Sequence, residues 1–237
     1  MLKNSFRIGN RKFIVLKNKL LLGVVVLVSI LTLGSIVSAY YSQKVTNGIS
    51  ESILRLHVVA NSDSDEDQAL KRQIRDDILV YMKENMNKDS TLEESKSFIK
   101  ENIPGIEEIA MNEINQRGMS YGAKAFLGDY DFPTKVYGDI ALPSGSYQAL
   151  KVVLGNGSGA NWWCVLFPPL CFVDATHGTI PDSVKNDLKN VLNEDEYALV
   201  TTADNEEDIP IQLKFKLVEF FEDGKIQFTG MVKRLFN

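Results

Sequence analysis

Apolar and polar residues follow three different patterns along the chain, and each pattern predicts a different kind of element. Residues 20–39 carry no charge and are numerous enough to cross a membrane as a helix. From Asp65, apolar residues recur at helical spacing, whereas beyond Gly118 short apolar runs are divided by turn residues. The chain is therefore predicted to be α+β, with an N-terminal export or transmembrane segment, a helical N-terminal part and a mainly antiparallel sheet.

Four helices are predicted after the first strand. They begin at Asp65 and near Thr91, and cover about 106–117 and 182–192. Ser64 is a typical N-cap residue, and Asp67 three positions later resembles the acidic partner of a capping box. We expect Pro104-Gly105 to separate the second helix from the third, Gly118 to end the third, and Asp182 to cap the fourth.

Strands are predicted where short apolar or β-branched runs lie between turn residues. The predicted strands are residues 53–60, 121–127, 134–137, 147–154 and the stretch that begins at 161. Gly128-Asp129 is expected to end the second strand, and 155–159 to form a loose hairpin turn. Residues 211–217 alternate apolar and polar positions, which favours a strand, although 209–221 is also compatible with a helix.

The N-terminal segment has the charge pattern of an export signal. Residues 1–19 contain six Lys or Arg and no acid, and they precede the uncharged stretch. Because Val37-Ser38-Ala39 suits a signal peptidase, the chain is either cleaved before Tyr40 or retained as an anchor whose N-terminus is cytoplasmic. We therefore divide it into a signal peptide or anchor (1–39), a stalk (40–52) and an extracytoplasmic domain (53–237).

Charge narrows the range of partners. The whole chain has 26 Lys and Arg against 31 Asp and Glu, and without the six N-terminal cations 20 remain against 31, a net charge of −11. An acidic exported domain argues against binding to nucleic acid or to an anionic lipid surface. We expect no nucleic-acid partner, and contact with the membrane only through residues 20–39 if these are not removed.

The stretch 161–174 is the most unusual in the chain. It contains both tryptophans and both cysteines and almost no charge. Pro168-Pro169 is expected to interrupt any strand ladder and bend the chain. Two interpretations of the cysteines are open: Cys164 and Cys171 are buried free thiols that pack as small apolar residues, which we favour, or the segment folds back at the prolines and they form a disulfide, provided that their Cα atoms lie within about 7 Å.

Two candidate chemistries are weighed against simpler explanations. Cys164 with His177 and Asp174 offers a thiol nucleophile, a base and an orienting acid, which gives the alternative function, a wall-associated hydrolase. A strand this apolar would bury the thiol, so we expect no enzyme, no cofactor and no small-molecule substrate. Asp63, Asp65 and Asp67 match the first three ligand positions of a calcium loop, but the required Gly and the final acid are missing, so no metal is expected.

Several segments together resemble one family, that of stage II sporulation protein R. The similar segments are Leu54–Ser64, Asp67–Lys71, Arg75-Asp76, Phe132–Gly138, Leu142–Leu150 and Asn161–Phe172. They cover most of residues 53–174. The Asn-Ser-Asp-Ser and Trp-Trp-Cys segments are specific jointly, whereas either alone would be weak.

The resemblance implies a signalling protein of endospore-forming bacteria. Such a protein is made in the forespore and exported to the space between the two membranes, where it is secreted or membrane-anchored. It triggers a membrane-embedded aspartic protease of the mother cell, which removes the pro-sequence of the sporulation factor sigma-E. An activator of this kind needs a binding surface and no catalytic residues.

Two surfaces are candidates for binding that partner. The first is the polar helix start, whose candidate residues are Asn61, Asp63, Asp67, Gln68, Lys71 and Arg75. The second is the Gly-rich turn that leads to Trp162 and Trp163, which we favour because aromatic residues are frequent energetic centres of interfaces. Since neighbours on a strand face opposite ways, we expect one tryptophan to be exposed and the other to lie in the core.

Overall fold

The structure, a computed structural model, describes residues 2–87, 89–172 and 180–202. Its helices are α1 (Leu2–Ser52), α2 (Asp65–Asn85), α3 (Leu92–Gln116), α4 (Asp182–Val191) and α5 (Glu194–Thr202). Its strands are β1 (Leu54–Val59), β2 (Ala123–Phe132), β3 (Lys135–Tyr137), β4 (Ile140–Leu142), β5 (Gly145–Leu154) and β6 (Asn161–Phe167), followed by a 3-10 turn (Leu170–Phe172). The predicted strand at 211–217 lies outside the described residues.

The chain divides into two compact units, and α1 contributes to both. In the first unit, the helix from Lys19 onward is long and apolar enough to cross a membrane. Its aliphatic side chains are exposed, from Leu20 at 70% to Ile36 at 64%. The hydroxyls of Ser29 and Ser35 donate to helix carbonyls one turn earlier, as polar groups in lipid must. This segment therefore has the properties of a transmembrane or signal helix.

The second unit begins at Val45, inside the segment predicted to be a stalk. Val45 and Ile49 are buried, so the last turns of α1 belong to the folded domain rather than to a linker before Ile53. Cleavage before Tyr40 would leave these turns in place.

Four strands form one mixed sheet in the order β2-β5-β1-β6, and β3 pairs with β4 in a separate hairpin. The central strand β1 runs parallel to β5 and antiparallel to β6, while β2 is antiparallel to β5. The predicted α+β fold with a mainly antiparallel sheet is confirmed. β1 and β5 can pair in parallel because the chain between them is long: it contains α2, α3 and the strands β2, β3 and β4.

One face of the sheet is covered by α2 and α3. Alternate residues of β1 point towards these helices, Leu54, Leu56 and Val58 among them. The facing stripe of α2 consists of Leu70, Ile74, Ile78 and Met82, as its helical periodicity predicts. These side chains are removed from water, and they form the main core.

The other face of β1 carries Arg55 and His57, which are nearly as buried as its apolar residues. Rings surround the Arg55 guanidinium, whose carbon lies 4.2 Å from the Phe132 ring centroid and 4.8 Å from that of Tyr147. Its Nε donates to the carbonyl of Cys164 at 3.3 Å and its Nη2 to the hydroxyl of Tyr137 at 2.6 Å. Cation–π contacts thus provide part of the stabilisation that an isolated buried charge would lack.

Pro104-Gly105 does not break a helix, contrary to prediction, since α3 continues from Leu92 to Gln116 with Pro104 inside it. Ile99, Ile106 and Ala110 lie on the buried side of this one helix. Their packing against the sheet outweighs the lost backbone hydrogen bond.

Two other local predictions differ from the structure. β2 continues through Gly128-Asp129 to Phe132, because the whole strand pairs with β5. Asp182 is the first residue of α4 rather than its cap; the N-cap is Pro181, which makes no side-chain capping bond.

The outer edge of β2 is occupied by side chains of α3. The amide of Ala125 donates to the Glu107 carboxylate at 2.9 Å, and the amide of Ala123 lies 3.3 Å from the sulfur of Met111. Lys124, in the same strand, forms an ion pair with Glu107 at 3.7 Å. The helix thus satisfies donors that an edge strand usually leaves free.

Replacing Pro104 with Ala should stabilise the protein, since a proline in a helix interior costs about 3 kcal/mol and Pro104 is exposed. Allowing for the extra freedom of the unfolded chain, we expect a gain of about 1–2 kcal/mol in the free energy of unfolding. Urea unfolding measures it, with Glu101→Ala on the same helix as the control. A loss of stability would contradict a continuous α3.

Candidate functional site

The site is built at the end of β1, where the chain turns into α2. The Ser64 hydroxyl accepts a hydrogen bond from the amide of Asp67 at 3.2 Å and caps the helix, as predicted. The Asp67 carboxylate points elsewhere. It accepts from Asn61 Nδ2 at 2.9 Å, from the Ser62 hydroxyl at 2.5 Å and from the Tyr121 hydroxyl at 2.5 Å. Asp67 therefore joins the turn to the segment that precedes β2.

The glycine-rich loop 155–160 packs directly on this turn. The amide of Asn156 donates to Asn61 Oδ1 at 3.0 Å, and the Ser158 hydroxyl donates to the Asn61 carbonyl at 2.7 Å. The amide of Ala160 donates to Asp63 Oδ1 at 2.6 Å. The loop is thus tied to the turn at several points and is not the loose hairpin turn expected from its composition.

Glycine is required in this loop by close approach of two backbones. A Cβ on Gly159 would overlap the carbonyl group of Ser62, and one on Gly155 would overlap the Asn61 side chain. Gly155 also has φ +54°, a conformation that L side chains rarely adopt. The composition of the loop follows from its contact with residues almost a hundred positions earlier.

Lys71 closes the junction from the helix side. Its Nζ donates to Gln68 Oε1 at 2.7 Å and to the carbonyl of Ala160 at 2.8 Å, and Gln68 Nε2 donates to the carbonyl of Ser62 at 2.9 Å. Only 4% of Lys71 is exposed. Burial, with the nearby positive charges of Arg72 and Arg75, lowers the pKa of Lys71 despite the attraction of Asp63.

Hydrogen bonds decide the ionisation of Asp67. Burial alone would raise the pKa of its carboxyl, but the hydrogen bonds from Ser62, Tyr121 and Asn61 outweigh burial and hold that pKa below its usual value. Burial and the adjacent carboxylate raise the pKa of the Tyr121 hydroxyl. At neutral pH the pair is therefore a charged acceptor with a neutral donor.

Arg75 and Trp162 meet beside this junction. The guanidinium carbon of Arg75 lies 4.1 Å from the Trp162 ring centroid. Arg75 Nη2 also forms an ion pair with Asp76 Oδ1 at 2.5 Å. Both residues are half-buried. The indole N–H of Trp162 is buried and finds no acceptor among the described residues. Arg75 is thus held over the indole face by a cation–π contact and an ion pair.

Trp163 lies on the opposite face of the sheet. Its ring stacks on His57 with centroids 3.9 Å apart and meets Phe132 edge-on at 4.7 Å. His57 Nε2 is 2.7 Å from Asn161 Oδ1, so the neutral ring donates there. Burial, together with Lys151, lowers the pKa of His57 to about 4, although the Asn161 hydrogen bond opposes the shift.

The structure brings the two predicted partner surfaces together. We call the result the junction surface: the turn 61–64, the first turns of α2 as far as Arg75, the loop 155–160 and Trp162. Its predicted polar residues Asn61, Asp63, Asp67, Gln68 and Lys71 make the internal hydrogen bonds described above. The tryptophans face opposite sides of the sheet as predicted, but both are half-buried, which corrects the expectation of one exposed and one core ring.

Cys164 and Cys171 form a disulfide, with Cα atoms 5.7 Å apart. Pro168-Pro169 lies between them, at the end of β6. A disulfide sulfur is not a thiolate nucleophile, and His177 and Asp174 lie outside the described residues. Within the described ranges no group of His, Cys, Asp or Glu is arranged to hold a metal.

Sequence reasoning missed the residues that complete the junction. The sequence pattern does not single out Tyr121, Ser62 or Ser158, and it predicts Gly159 only as part of a loose turn. The only local signal was that polar turn residues and a glycine cluster occur near the two ends of neighbouring strands. Their contact depends on the β1–β6 register, in which Val59 pairs with Asn161.

Comparison with known proteins identifies relatives of this chain by sequence. The family model described as stage II sporulation protein R matches residues 50–177, which include the junction surface and the disulfide. The stage II sporulation protein R of Bacillus subtilis (strain 168) is 38% identical over 185 residues, covering 74% of this chain and 82% of that protein. No solved structure matches the chain.

Gly159→Ala should weaken the junction, because its new methyl group overlaps the Ser62 backbone, which cannot rotate away. We expect a loss of about 1–3 kcal/mol in the free energy of unfolding. Gly122→Ala is the matched control, since its Cβ would make only ordinary contact, 3.7 Å from the Met111 sulfur. Equal stability of the two variants in urea would refute the tight contact.

His57 should make stability depend on pH. Its pKa falls from 6.5 in the unfolded chain to about 4 in the fold, so the unfolded chain binds the proton more readily. Its contribution is complete above pH 6.5 and is lost as the pH falls towards 4, by about 2–3 kcal/mol. Urea unfolding at pH 7 and 4.5 should show a smaller decrease in His57→Gln than in the wild type. Equal decreases would mean that His57 is not the titrating group.

Proposed function

This chain belongs to the stage II sporulation protein R family, and we propose that it is an exported sporulation signal that activates a membrane-embedded aspartic protease, which then processes pro-sigma-E. The family supports a role in sporulation signalling. The protease and its substrate are the finer part of the proposal. They come from the family resemblance of Asn61–Ser64 and of the Trp-Trp-Cys strand.

The N-terminal helix supports an extracytoplasmic location. Its uncharged, exposed stretch follows six cations, which sets the N-terminus on the cytoplasmic side. The disulfide between Cys164 and Cys171 also fits a compartment outside the reducing cytoplasm. We therefore place the folded domain between the forespore and mother-cell membranes, either released or held by α1.

In this proposal the domain binds the protease as a ligand and does not act as a hydrolase. Cys164 is joined to Cys171, which removes the basis of the alternative function, a thiol-dependent wall hydrolase. The junction surface offers instead a rigid frame of hydrogen bonds, with the half-buried Arg75 held over Trp162 at its margin. Pre-ordered surfaces of this kind lose little conformational entropy on binding.

The observation that carries the proposal is Arg75 held over Trp162. Arginine and tryptophan are the residues most often found to dominate binding energy at interfaces. Ring and ion-pair contacts restrict Arg75 before the partner arrives. A carboxylate or carbonyl of the partner would find in Arg75 a cation whose position is already fixed.

Processing of pro-sigma-E in a host bacterium that makes the protease tests the proposal. Arg75→Ala should lower processing by about tenfold or more, the size of a typical interface hot spot, because it removes the ordered cation. Arg72→Ala is the matched control, an exposed arginine on the same helix that does not stack on Trp162.

Thermal melts separate binding from folding. The Arg75→Ala protein should melt as the wild type does, whereas Trp162→Ala loses core packing as well and serves only as a second comparison. If stable Arg75→Ala and Arg75→Glu proteins support full processing, the junction surface is not the contact. If the wild type causes no processing beside the protease, the proposed function is wrong.

A further inference from the structure

A large groove opens at the end of the domain opposite the junction surface. It has a volume of about 880 Å³, within the range of sites that enclose drug-sized ligands. Its walls come from the last turn of α2, the start of α3, the end of β6 and one side of α4. The apolar lining includes Met82, Met86, Leu92, Phe167, Pro169 and Val184.

The disulfide loop forms one wall of the groove. Leu166, Phe167, Pro168 and Pro169 all line it, and all lie between Cys164 and Cys171. The cross-link therefore fixes the position of this wall relative to β6. Met82 and Met86 lie on the α2 side, and methionine side chains adapt to differently shaped apolar groups.

Charges on the groove favour a basic ligand. The lining includes the carboxylates of Glu51, Asp89 and Asp187 and one cation, Lys83. Among the described lining residues the acids therefore outnumber the bases by three to one. A segment that places apolar side chains inside and a lysine or arginine at the rim would match both features.

The groove and the junction surface lie at opposite ends of the same two elements. On α2, Arg75 and Met86 are separated by roughly 16 Å of helix. On β6, Trp162 and Phe167 are separated by about the same distance along the strand. One partner with two contact points this far apart could therefore reach both sites.

We propose that this groove is a second docking site for the activated protease, and that it binds an extracytoplasmic segment with two or three large apolar side chains next to a lysine or arginine. This inference rests on the proposed function, because the partner is the same. The apolar side chains fill the space between α2, α4 and the disulfide loop. The cation pairs with the carboxylates of Asp89 and Asp187 at the rim.

Filling the groove from an exposed position tests the proposal without disturbing the core. Asn190 is exposed and lines the groove, whereas Asn186 is exposed one turn earlier on α4 and does not. Asn190→Trp should lower pro-sigma-E processing about tenfold or more, and Asn186→Trp by less than about twofold. Both proteins should melt as the wild type does. Full processing by a stable Asn190→Trp protein would overturn the proposal.

A photo-crosslinking residue identifies the occupant. With p-benzoylphenylalanine at position 190, and protein and protease made together, a cross-link to an apolar and basic segment of the protease supports the proposal. A cross-link only to residues 203–237 of the same chain, one to a second copy, or none overturns it. The same residue at position 186 should give no cross-link to the protease.

The two proposals fail in different ways. If Arg75→Ala abolishes processing but Asn190→Trp does not, the signalling function stands and the groove has no part in it. If Asp187→Lys leaves processing unchanged while Asn190→Trp blocks it, the groove binds an apolar segment without a cation, and the stated ligand class is wrong. If wild-type protein does not cause processing, the proposed function itself fails.

Discussion

The structure depends on the complete burial of β1, which is hydrogen-bonded to neighbours on both sides. A strand in this position cannot shift register without moving every side chain to the other face. Arg55 and His57 therefore lie on the second face of the sheet. There aromatic rings pack against both side chains, and the side-chain amide of Asn161 is hydrogen-bonded to His57. The same register places the turn 61–64 beside the start of β6 and the disulfide loop beside the start of β1. The positions of the junction surface and of the groove therefore both follow from the register of β1 with β6.

The polar residues at the end of β1 stabilise the fold more than they present chemistry. Asn61 and Asp67 accept or donate in several directions at once, and each hydrogen bond engages a polar atom within the domain. At the margin of this network Arg75 lies over Trp162. A rigid interior network suits a signal that is read by shape, because its geometry changes little before binding.

Local elements could be predicted from the sequence, whereas contacts between distant residues could not. The buried strand at 53–60, the Ser64 cap and the apolar stripe of α2 follow from spacing alone. Asp67 shows the limit: its position three residues after Ser64 predicts a capping role, but its carboxylate bonds to Tyr121, far along the chain. Pro104 shows the reverse, since a strong local signal to end a helix yields to apolar packing on both sides of it.

The hydrogen bond from Ala125 to Glu107 has a consequence for the behaviour of many copies together. A sheet edge with free amides is a template on which a strand from another molecule can add, and such growth leads to aggregation. At the start of β2, α3 blocks this route with the side chains of Glu107 and Met111, so that addition there would first require the helix to move. The same contact that holds α3 against the sheet therefore also disfavours edge-to-edge association of separate molecules at this part of β2.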